Sequence, residues 1–181
     1  MNLVDKATRY IALKHDGQYR RGLDIPYSTH LYGVARVLKT AKYSDQVVIA
    51  GLLHDILEDS DATVQEIEEL FGAQILQLVK AVSEPDKSIP WKERKQKAIE
   101  KVKELNDDEI SIAIAEKIQN LNSMAFVINN FGENAWYGES AKKSDQQWFY
   151  EHYFEETKKY HPNNRLLKGF EEGIQRLISL T

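Results

Sequence analysis

Apolar residues recur at helical spacing along most of the chain. Leu3, Ala7, Tyr10 and Ile11 form a stripe that predicts a first helix over Leu3 to Leu13. The stretch Asp16 to Pro26 carries Gly17, Gly22, a proline and the pair Arg20-Arg21, and reads as a loop. Leu31, Val34, Ala35 and Leu38 mark a second helix over Ser28 to Thr40. Ser44 can cap a third, whose run Val47 to Leu53 is apolar on every side and so belongs at the centre of a bundle. Thr63 with Glu66 predicts a capping box for a short helix ending near Phe71-Gly72. Ile75, Leu78, Val79 and Val82 stripe the next one. Two prolines make Ser83 to Pro90 a loop. Trp91 to Leu105 is a charged helix expected to be largely solvated. Asp107 or Asp108 can start a long helix through Ile110, Ile114, Ile118, Leu121 and Met124. Asn129 to Ser144 is irregular and polar. Two helices follow, about Asp145 to Tyr160 and about Asn164 to Ser179, with His161-Pro162-Asn163-Asn164 as the break. The pattern predicts one all-α domain, a bundle of about eight or nine helices.

Composition narrows the function classes. The 181 residues fit one domain with a full hydrophobic core. Lys and Arg number 24 against 28 Asp and Glu, a net charge of −4, which gives no support to a protein that coats nucleic acid. Cysteine is absent, which removes disulfides, thiolate metal sites and a cysteine nucleophile. No apolar run is long enough to span a membrane, and the N-terminus does not read as a signal peptide. The expectation is a cytoplasmic protein that engages neither membrane nor nucleic acid.

The informative stretch is Leu52-Leu53-His54-Asp55-Ile56-Leu57-Glu58-Asp59. An apolar helix turns polar in its last turn and presents three carboxylates and an imidazole on one broad patch. At a helix C-terminus each negative charge is disfavoured by about 0.3–1 kcal/mol. No Lys or Arg stands in the turn to offset them, whereas a divalent cation would. His30, on the first turn of the second helix, and Glu116, an acid within the apolar run Ile112 to Ile118, supply donors from other helices. An acid beside a buried stripe is costly unless paired or coordinated. His30, His54, Asp55 and Glu116 therefore form a candidate four-ligand site. Two imidazoles and two carboxylates suit manganese, iron(II) or zinc better than calcium.

The ordered set resembles a family. His30, then His54-Asp55, then an acid on a later helix resembles the HD phosphohydrolase superfamily. Ile25-Pro26-Tyr27-Ser28-Thr29-His30, Val34-Ala35, Leu52 to Asp59, Phe71-Gly72, Pro90 to Lys95 and Ala115 to Leu121 are similar to the hydrolase domain of RelA/SpoT-type enzymes and to its stand-alone metazoan relatives. The likeness covers about residues 3 to 126. It implies an all-α fold, a manganese-like ion and removal of pyrophosphate from the 3′ position of guanosine tetra- or pentaphosphate. It further implies that His30, His54 and Asp55 ligate the ion, and that Glu58 and Asp59 orient and deprotonate the attacking water. By the same likeness Arg20 and Arg21 face the nucleotide, and Asn120 touches metal-bound water or ribose. The chain departs from the family at Glu116, where Asp is usual, and at Gln119, where His is common.

Two other readings compete. One is a phosphatase for a different nucleotide, which would release orthophosphate. The other is a catalytically weak module that binds a nucleotide. Lys92, Arg94, Lys95 and Lys97 read as a wet helix face, and Trp136, Tyr137, Trp148, Phe149 and Tyr150 as packing for the C-terminal helices. His15, His152 and His161 carry no assigned role. No second catalytic domain, and hence no synthetase activity, is expected.

Overall fold

The computed structural model describes residues 2–20, 24–84, 88–132 and 142–180. Arg21, Trp136 and Tyr137 lie outside them. Among the described residues every regular element is helical, with one isolated bridge between Tyr19 and Pro26. The helices are α1 (Leu3–Lys14), α2 (Ser28–Thr40), α3 (Asp45–Leu53), α4 (Ile56–Asp59), α5 (Val64–Phe71) and α6 (Ala73–Val82). They continue as α7 (Trp91–Lys101), a 3-10 turn over Val102–Glu104, α8 (Asp107–Phe131), α9 (Lys143–Tyr160) and α10 (Leu167–Ser179).

α3 is the central element. Every residue from Val47 to Leu53 is buried, and the helix packs against α1, α2, α6 and α8. Gly51 permits the close approach of α2. A Cβ there would stand 2.4 Å from the Leu38 methyl of α2. α8 crosses the same core and also seats α10, so it joins the motif-bearing half to the C-terminal helices. Tyr150, Tyr153 and Phe154 of α9 gather around Phe170 of α10 and bury the seam.

Local signals explain the boundaries. The Asn2, Ser44 and Thr63 side chains cap the helices that follow them. α8 begins at Asp107, the first of the two acids that can start it, and Asn106 and Glu109 form its capping box. It then runs to Phe131, past the point where the sequence reads as irregular.

One boundary changes the chemistry. The central helix does not carry its acids in a last turn. It ends at Leu53, His54 and Asp55 form a break, and Ile56 to Asp59 fold as a separate single turn. The carboxylates therefore do not crowd the C-terminus of a long helix, as the sequence pattern suggests.

Candidate metal centre and the cavity in front of it

His54 and Asp55 sit in the break between α3 and α4. The Gly51 carbonyl accepts a hydrogen bond from His54 Nδ1 at 2.9 Å. A carbonyl only accepts, so Nδ1 carries the hydrogen, and Nε2 holds the lone pair of the neutral ring. Nε2 lies 3.1 Å from Asp55 Oδ2 yet makes no hydrogen bond and is sealed from solvent. His30, from the first turn of α2, brings its Nε2 to 3.8 Å from the same oxygen, while its Nδ1 is buried without a partner. The two rings meet edge to face at 5.2 Å. One donor atom each from His30, His54 and Asp55 lies within 4.8 Å of the other two. A buried nitrogen without a partner is costly, and His54 Nε2 is such an atom facing the shared carboxylate. The residues fit a divalent ion held by two imidazoles and a carboxylate.

A proton on His54 and a divalent ion at Nε2 are alternative answers to the Asp55 charge. Burial pushes His30 down to about 3, helped by the neighbouring His54 charge. Burial also acts against a charged His54, but the Asp55 carboxylate outweighs it and carries that ring up to about 9. Burial alone would raise the Asp55 carboxyl, yet His54 and the Tyr27 hydroxyl hold it well below the usual range.

These groups open onto a cavity of about 310 Å³. Glu58 lines it beside them, its Oε1 accepting the Glu84 N–H at 2.8 Å. Asp59 is half-buried at the end of α4, and its carbonyl accepts from Gln18. The opposite wall belongs to α8. Glu116 faces the cavity but stands outside the three-residue group. Its Oε2 accepts from Lys117 at 2.5 Å and its Oε1 from Asn120 at 2.5 Å. Asn120 in turn accepts from Arg20 at 3.0 Å. Burial would raise the Glu116 carboxyl, but Lys117 outweighs it and keeps the carboxyl low.

Sequence reasoning missed much of this cavity. α7 is not merely a wet face: Arg94, Lys95, Lys97 and Lys101 line the cavity. Arg94 (2.5 Å) and Lys95 pair with Glu84. Lys117 is buried, with its ammonium 4.7 Å from the centre of the Tyr153 ring. Tyr27, whose hydroxyl donates to Asp55 Oδ2 at 2.6 Å, was also passed over. Its place between Pro26 and the helix carrying His30 was the available signal. Gln119 does not reach the centre; its amide fills the space a Cβ on Gly33 would need.

Comparison with known proteins places this geometry in a family. Residues 7–134 match the family model described as HD domain. The chain is 38% identical over 122 residues, 66% of its length, to 68% of the guanosine-3′,5′-bis(diphosphate) 3′-pyrophosphohydrolase MESH1 of Mus musculus. It is similar to a solved structure described as a metazoan ortholog of SpoT that hydrolyzes ppGpp and plays a role in starvation responses. That likeness has a TM-score of 0.78 at 25% identity and covers 100% of this chain and 98% of the other. The Listeria monocytogenes EGD-e protein lmo0812 is similar over 85% of this chain and 98% of its own, with a TM-score of 0.73 at 28% identity. By its matched residues and its relatives, the chain belongs to the HD-domain family.

Proposed function

We propose that this protein is a divalent-metal-dependent hydrolase that removes pyrophosphate from the 3′ position of guanosine tetra- or pentaphosphate. The carrying observation is the pairing of two unlike walls in one cavity. His30, His54 and Asp55 offer convergent donors on one side, and Arg94, Lys95, Lys97, Lys101 and Lys117 supply positive charge around the other. A substrate bearing several phosphates fits between them. The names of the relatives support the substrate.

His30, His54 and Asp55 would hold the ion, with manganese suited to their mixed nitrogen and oxygen donors. Glu116, now bonded to Lys117 across the cavity, would complete the set. A bound divalent ion acidifies a water molecule and offsets phosphate charge. Glu58 accepts the proton of the attacking water, and Asp59 helps to orient that water. Arg20 and Asn120, already bonded to each other, meet the nucleoside; Arg21, beyond the described residues, is assigned to the same task. The lysines of α7 take the terminal phosphates. A cytoplasmic location fits the cysteine-free chain.

The test is product analysis. Manganese-loaded protein incubated with guanosine 3′,5′-bis(diphosphate) should release pyrophosphate. Orthophosphate release from that or another nucleotide would favour the phosphatase reading. No turnover despite a bound ion would favour a binding module.

A further inference from the structure

Tyr27 stands three residues before His30, at the entrance to α2. Its backbone N–H donates to Gln18 at 2.8 Å, just beyond the Tyr19–Pro26 bridge, so the loop fixes where the ring enters. The ring is held from three sides. His15 lies against it at 5.3 Å between centroids, His30 at 5.8 Å, and the Arg20 guanidinium at 5.5 Å. His15 is itself buried and tied by Nδ1 to the Gln18 side chain at 2.8 Å. Gln18 then donates to the Asp59 carbonyl at 2.7 Å. The phenol is thus braced by the loop, by α1 and by α4 together.

The braced hydroxyl reaches the candidate metal centre. It donates to Asp55 Oδ2, the same oxygen that both imidazoles approach. An aspartate has two rotatable bonds and two equivalent oxygens, so its carboxylate plane is not set by the backbone. The Tyr27 hydroxyl donating to Oδ2 sets it. We propose that Tyr27 is a positioning residue for the metal centre: its hydroxyl fixes the Asp55 carboxylate so that Oδ2 faces the two imidazoles before an ion arrives. This inference rests on the reading of His30, His54 and Asp55 as the ligand set.

Tyr27→Phe is the test, because it keeps the ring against His15, His30 and Arg20 and removes only the hydroxyl. Manganese is titrated into metal-free wild type and variant, and free ion is read by electron paramagnetic resonance. The expected result is a loss of about 10- to 100-fold in manganese affinity, the usual effect of removing an outer partner of a ligand. The metal-free variant should melt within about 4 °C of wild type. Turnover should recover at saturating manganese with KM unchanged. Equal affinity in the two proteins would overturn the inference, as would a raised KM at unchanged metal affinity, which would make the hydroxyl a substrate contact. A larger fall in melting temperature would reduce Tyr27 to a structural role. If wild type itself bound no manganese, the ligand assignment would fail instead.

Discussion

The two walls of the cavity solve the problem of buried charge in opposite ways. On the α2–α3–α4 side, Nε2 of His30 and the unpartnered Nε2 of His54 crowd toward one carboxylate. On the α7–α8 side, the half-buried carboxylates among the described residues have answering groups. Glu116 is bonded by Lys117 and Asn120, Asn120 by Arg20, and Glu84 by Arg94 and Lys95. The first wall is incomplete without a cation. The second is a closed network that stands by itself and must open to meet an ion or a phosphate. A buried polar group left unpaired costs about 1–3 kcal/mol, so the first wall draws an ion in, whereas the second must exchange partners.

Each wall can be perturbed separately. Glu58→Gln keeps an oxygen for the Glu84 N–H but removes the proton acceptor. Manganese binding should persist while kcat falls by about 10²–10⁴-fold, read by steady-state pyrophosphate release. A variant with full rate would take Glu58 out of the chemistry.

Glu116→Gln preserves shape and removes charge. Manganese affinity should fall by about tenfold, well short of the effect of losing Asp55, because Glu116 reaches the ion only by leaving its own partners. An equal loss would make the two walls alike and erase the distinction drawn between them.

Glu84→Gln probes the closed network alone. Burial would raise the Glu84 carboxyl, but Lys95 and then other cations hold it below the ordinary glutamate value. A depressed folded pKa stabilises above the unfolded value, and the benefit disappears as pH falls through the folded one. Wild type should therefore exceed the variant by about 1–2 kcal/mol in urea unfolding at pH 7. The gap should begin to close near pH 4.5 and vanish in more acid solution. A gap that did not change with pH would mean the ion pairs do not carry it.

How much of this could be read from the sequence follows from which residues announce themselves. The helices were legible because their apolar stripes have the 3.6-residue period, and because Ser44 and Thr63 sit where caps belong. His54 and Asp55 were legible because charge erupts at the end of a wholly apolar run. The break after Leu53 was not. His54 bonding the Gly51 carbonyl is a side-chain event that no periodicity records. Lys95 and Lys117 were hidden for another reason. A lysine facing a cavity and a lysine facing solvent have the same spacing on a helix, and only the packing of α7 and α8 tells them apart. Tyr27 escaped because an aromatic before a helix ordinarily reads as core.

The account stands or falls on the first wall. Metal-free wild type and Asp55→Ala should be titrated with manganese under identical conditions. The predicted result is about one equivalent bound by wild type, with a higher melting temperature, and neither effect in the variant. Manganese bound equally well without the Asp55 carboxylate, or not bound by wild type at all, would contradict it.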